Sequence, residues 1–138
     1  SQGSEEITKG TISSFFLKVP GDPQWDKDPA IKQYLEWKEK FFPQASEGDF
    51  MLLLGYHSAQ SLVKALSLPG ALVSREEFVK VLRQTKLKMD LLLPGIEYDF
   101  SQEGIFGLRR VSLGRYDGQS WKTEGDLRDV MLPQPVRP

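Results

Sequence analysis

The sequence predicts a mixed α/β chain: one strand, three helices, then short strands returning as hairpins. Three observations carry this. A β-branched and aromatic run near the start stands alone between turn formers. Three later segments place apolar residues at helical spacing, each opened by Asp or Ser. After Gln84 the texture changes to glycine punctuation and short strand-like runs.

Residues 10–18 read as the first strand, because Thr11, Ile12, Phe15, Phe16 and Leu17 favour a pleated surface, and Pro20, Gly21 and Pro23 end it. Asp28-Pro29 opens the first helix. The Asp can accept a free N–H of the first turn, and the Pro already holds the helical φ. Ile31, Leu35 and Phe42 supply its apolar face until Pro43 stops it. The second helix begins near Asp49 and runs through Phe50, Leu53, Leu54, His57, Leu62, Val63 and Leu66 to Pro69-Gly70. Its unbroken apolar start implies burial on more than one side. Ser74 and Glu77 form a capping box for a third helix, whose buried stripe is Phe78, Val79 and Leu82. Residues 91–98 and 111–116 are strand candidates. Asp117-Gly118 is a favoured two-residue hairpin turn, with 119–123 as the returning strand. The proline-rich tail, 132–138, is an extended terminus, and residues 1–9 read as a tag or linker. With one early strand and no parallel neighbour for it, the sheet is incomplete and its edges are expected to lie open.

Composition narrows the function classes. With 138 residues, 39% hydrophobic and 27% charged, the chain can build one domain's core. Its 18 basic and 19 acidic side chains give a net charge of -1, so no bulk field draws it to nucleic acid or anionic lipid. It has no cysteine, which removes disulfides, thiolate metal sites and cysteine nucleophiles. The longest apolar run, 50–54, is too short to cross a bilayer. The polar start carries no signal peptide, so either the chain is cytoplasmic or an export signal has been removed.

The sequence offers no catalytic constellation. His57 is the single histidine and is expected to line a core or cleft. Asp22, Asp26 and Asp28 lack the alternating ligands and the glycine of a calcium loop, and read as a solvated loop that ends by capping a helix. Gly104 and Gly107 frame an apolar turn rather than a nucleotide clamp. Arg109 and Arg110 point to opposite faces of a strand, and Glu36, Glu39, Glu76 and Glu77 lie on helix surfaces. No catalytic residue, metal site or cofactor is expected. A weaker positive signal comes from the aromatic residues, of which pockets for small organic solutes make use. Phe50, Met51, Leu54 and Tyr56, on the entry turns of the second helix, are the candidate pocket residues.

Six stretches taken in order carry a resemblance. They are Gly10-Thr11-Ile12-Ser13, Asp22-Pro23-Gln24-Trp25, Asp28-Pro29-Ala30-Ile31-Lys32, Gly55-Tyr56-His57-Ser58-Ala59-Gln60, Leu93-Pro94-Gly95-Ile96 and Arg115-Tyr116-Asp117-Gly118-Gln119-Ser120-Trp121. From Gly10 to about Leu127 the chain resembles the C-terminal third of type I periplasmic solute-binding proteins, the receptors of ABC transporters for branched-chain amino acids and related compounds. The resemblance implies a fragment of a two-lobed α/β fold whose lobes close on a solute like a hinge. Residues 10–98 would supply a crossover strand and the helices of the first lobe, and 99–131 the strands returning to the second. It implies export to the periplasm, delivery of an amino acid or related acid or amide to the transporter's membrane subunits, and no cofactor. It also raises Phe50, Met51 and Tyr56 as solute contacts.

The chain departs from such relatives after Leu93-Pro94-Gly95: Glu97-Tyr98-Asp99-Phe100 stands where they often continue with an Asn-Thr-Ser run, so the resemblance assigns no solute subgroup. The family's earlier two thirds, which hold most ligand-binding groups, have no counterpart here. The chain alone is therefore expected to bind solute poorly and to pair with another copy, as a homodimer or swapped oligomer, to cover strand edges and apolar faces. The alternative is a stand-alone module that binds another protein through its aromatic surface, with no small-molecule ligand.

Overall fold

The computed structural model describes residues 8–101, 107–118 and 121–130. Among the described residues, three α-helices and two small antiparallel sheets make a mixed α/β arrangement. The helices are α1 (Pro29–Phe41), α2 (Phe50–Leu66) and α3 (Arg75–Arg83). The strands are β1 (Ile12–Phe15), β2 (Lys86–Leu87), β3 (Tyr98–Asp99), β4 (Arg110–Tyr116) and β5 (Trp121–Asp129).

Local chemistry starts every helix. Asp28 accepts from the N–H groups of Ala30 and Ile31 at 2.9 and 3.2 Å, and Asp49 accepts from those of Met51 and Leu52, both at 3.1 Å. The Ser74 hydroxyl accepts from Glu77 N–H at 3.2 Å, but the Glu77 carboxylate is bonded by Lys80 at 3.0 Å. An ion pair thus engages the carboxylate assigned to the return half of the capping box. Asp28 also holds Lys18 at 2.6 Å, tying the end of the first extended segment to the start of α1. Burial raises the Asp28 carboxyl, yet the bonds from Lys18, Ile31 and Ala30 outweigh it and leave its pKa below the ordinary value.

The buried faces differ in part from those the periodicity suggested. On α1, Ile31, Tyr34 and Lys38 are buried, whereas Leu35 is half-buried and Phe42 is exposed. On α2 the inward residues are Leu53, His57 and Ala65, and Leu62, Val63 and Leu66 face out. No residue of α3 is fully buried; Phe78 and Leu82 are half-buried and Val79 is exposed. The core instead gathers Phe15, Leu17, Ile31, Tyr34, Leu53 and the run Leu91, Leu92 and Leu93 with Ile96.

The sheet departs most from expectation. Only Ile12–Phe15 of residues 10–18 forms a ladder, and that ladder is antiparallel to β4, with Ile12 opposite Arg115 and Phe15 opposite Ser112. One edge of β1 is therefore covered, and the three-stranded order is β1-β4-β5. Further along, Leu17 bridges Leu92, so residues 91–93 meet the first segment by a single bridge. The candidate strand 91–98 is interrupted at Pro94-Gly95, where Gly95 takes φ 84° and Ile96 N–H bonds Leu93 O, and regular pairing resumes only at Tyr98. Tyr116 at the end of β4 pairs with Trp121 at the start of β5, so residues 121–123 of the candidate returning strand 119–123 lie in β5. Gln119 and Ser120, the Gly104-Ile105-Phe106 part of the apolar turn and the tail 132–138 lie outside the described residues, as do residues 1–7.

Candidate functional site

An open groove of about 700 Å³ lies between the end of α1 and the outer side of α2. Pro43 ends α1 just after a cluster of rings: Trp37 lies with its centroid 5.9 Å from Phe41 and 5.3 Å from Phe42. Helical spacing on α2 brings Met51, Gly55 and Ala59 to the facing wall. Tyr56 closes the floor, its ring 4.7 Å from Trp37 and 5.3 Å from the buried Tyr34.

The polar groups of the groove are few. Gln60 donates to the Tyr56 hydroxyl at 2.9 Å, an i,i+4 bond that fixes the amide and the phenol together. Lys64 and Asp90 line the groove as well, and the Lys64 ammonium is bonded to the carbonyl of Lys88. Burial raises the Tyr56 phenol above its ordinary pKa, so it stays a neutral donor and acceptor. Apolar walls with a few placed polar groups suit an uncharged or amphiphilic organic solute.

The four candidate residues do not converge. Met51 and Tyr56 line the groove. Leu54 points into the protein and packs against the core, and Phe50, partly exposed, does not line the groove. Trp37 and Phe42 were not among the candidates. Their signal was the density of rings just before Pro43, which counts only once α1 is known to run beside α2.

His57 lies away from this groove. It is fully buried, with Nε2 2.9 Å from the Tyr98 hydroxyl and its ring 5.8 Å from that of Tyr98. Ser61 donates to the His57 carbonyl at 2.8 Å and stands 3.5 Å from Nε2, and Nδ1 meets no hydrogen-bond partner among the described residues. Burial lowers the imidazole pKa to about 4, so the ring is neutral near pH 7. With a phenol as its bonded neighbour and no carboxylate to orient it, His57 is a core group that joins α2 to β3.

No family model, curated protein or solved structure matches this chain. Among the described residues no cluster of acidic and histidine side chains could hold a metal ion, and no helix is long and apolar enough to cross a membrane. Two further concavities are more polar. One lies beside the Lys18–Asp28 pair and the Pro94-Gly95 turn, and one lies between Trp25, Pro94 and β5.

Proposed function

We propose that this chain is the C-terminal part of a two-lobed periplasmic receptor of the type I solute-binding kind. The receptor delivers an amino acid or a related acid or amide to the membrane subunits of an ABC transporter. The observation that carries this reading is the pairing of β1 with β4. A chain that leaves one lobe, builds helices on the other and then returns must bring its last strands back beside its first. Here the strands on either side of the helices join one sheet, in the order β1-β4-β5.

The groove supports the same reading. Its walls are apolar and aromatic, its polar groups are few, and exposed Met51 lines it. Such a surface is one wall of a cleft. Affinity from one wall is low, and the expected dissociation constants are millimolar, worth only about 4 kcal/mol. The solute does its work by drawing the missing wall onto this one. A stand-alone interaction module is favoured by a different observation, the exposed apolar side of α2.

Methyl NMR tests the solute role directly. Met51 and Met89 both line the groove, so their labelled ε-methyls report on it. Titration of dilute protein with branched-chain and aromatic amino acids, their amides and aromatic acids should shift both methyls, and Met51→Ala should weaken the response at Met89. If no compound of the panel moves either methyl at tens of millimolar, the groove is not a solute wall.

A further inference from the structure

We infer that the outer face of α2 is a self-association surface on which a second copy of this chain packs antiparallel about a two-fold axis. Met51, Gly55, Ala59, Leu62 and Leu66 recur at spacings of three and four, so they share one side of the helix, opposite Leu53 and flanked by Val63. That side carries no charged residue. Met51 is 72% exposed, Leu62 56% and Val63 64%, although a helix facing water ordinarily turns a polar side to it.

The size of the face fits a pair of copies. The 17 residues of α2 extend about 25 Å, and the stripe exposes on the order of 500 Å² of apolar surface. Two such faces together come close to the roughly 1,200 Å² at which specific interfaces begin.

The arrangement of large and small residues selects the partner. An antiparallel crossing centred between Ser58 and Ala59 sets Leu62 of each copy over Gly55 of the other, and Met51 against Leu66. A Cβ added at Gly55 would meet nothing within 4 Å, so the notch above this glycine is open to receive the leucine. Small Ser58 and Ala59 at the crossing let the two axes approach to about 8 Å. The antiparallel sense also opposes the dipoles of the two helices. A parallel pair would set leucine against leucine and leave both glycine notches empty.

This inference does not rest on the solute reading. The two meet because Met51, Gly55, Ala59 and Val63 also line the groove, so a second copy covers its mouth.

Sedimentation equilibrium between about 1 and 500 μM tests the pairing. The parent chain should show a reversible monomer–dimer equilibrium with a dissociation constant in the micromolar range, as is usual for interfaces at this lower limit of size. Leu62→Glu should weaken it by about a hundredfold, because each copy would bury a carboxylate over the partner's helix. Gly55→Leu fills the notch and should weaken pairing at least tenfold, roughly the effect of overpacking a fitted contact. It should not lower the melting temperature, since leucine is the better helix former and its side chain meets open space. A monomer across the whole range overturns the inference, as does a dimer indifferent to both substitutions. Leu62 does not line the groove, so repeating the solute titration on Leu62→Glu separates the two ideas. Methyl shifts in that variant sustain the solute wall whatever the parent's mass, and their absence counts against the wall alone.

Discussion

The phenol of Tyr98 on β3 lies 2.9 Å from Nε2 of His57 on α2, and this bond helps to join the second helix to the smaller sheet. Both residues lie in the interior: His57 is fully buried and Tyr98 half-buried. A bond in such surroundings is costly to break on one side only, because the remaining group keeps its desolvation penalty without its partner. Tyr98→Phe keeps the ring that stacks on His57 and Phe100 and removes only the hydroxyl. Ser61 is 3.5 Å away and already donates to a carbonyl, so it is a poor substitute. The expected loss is about 1–2 kcal/mol, read as a lower urea midpoint at unchanged m-value. Adding His57→Leu to Tyr98→Phe should cost less than the sum of the two single losses. Full additivity would mean that the bond is not made.

The same histidine sets a pH dependence. Burial holds its folded pKa at about 4, whereas an unfolded chain's histidine titrates near 6.5. Between these values the unfolded state binds the extra proton, so stability falls as pH falls from about 6.5 to 4, and the loss is complete below that. The shift corresponds to at most about 3 kcal/mol. The groups packed on the ring are Tyr98, Ser61 and Phe16, none of which supplies a charge to offset it. Asp99 acts in a lower window. The Ser101 hydroxyl and N–H, helped by Lys86, hold its carboxyl down to about 2 against burial. Its contribution is therefore present above about pH 4 and lost as the pH falls towards 2. Urea unfolding at pH 7.5, 5.5 and 4 should show the first loss, and His57→Phe should flatten it. A parent protein equally stable at pH 7.5 and 4 would contradict a histidine buried in neutral form.

Helix starts were legible in the sequence because they are local. Asp28, Asp49 and Ser74 each bond an N–H two or three residues on, and such a bond needs nothing from the rest of the chain. The sheet was not legible, since the pairing of Ile12 with Arg115 spans nearly the whole chain and no local signal specifies it. Periodicity also left the buried side of α2 undetermined. Leu53 and Leu62 lie on opposite sides of an apolar helix, and only the tertiary fold decides that Leu53 goes in. The groove was half legible for the same reason. Met51 and Tyr56 lie on one helix within a few residues, but Trp37 and Phe42 reach them across an interhelical contact.

The β1–β4 contact on which the receptor reading depends can be probed at Gly114. It lies in β4 with ordinary φ, so its need for glycine is steric rather than conformational. A Cβ there would stand 2.8 Å from Cε2 of Phe15 and 3.2 Å from the carbonyl of Lys122. Phe15 has little room to retreat, because it is buried and its ring centroid lies 5.1 Å from that of Trp121. Gly114→Ala should therefore destabilise the chain by about 1–3 kcal/mol through overpacking, despite the lower chain entropy that alanine brings to the unfolded state. Phe15→Leu on that background gives the methyl space and should recover part of the loss. Its single-variant cost makes the comparison a double-mutant cycle. The chemical shift of the Trp121 indole N–H reports the same contact without unfolding. If Gly114→Ala leaves both the midpoint and this signal unchanged, β1 does not pack across β4 at Phe15, and the return of the chain to its first strand loses its support.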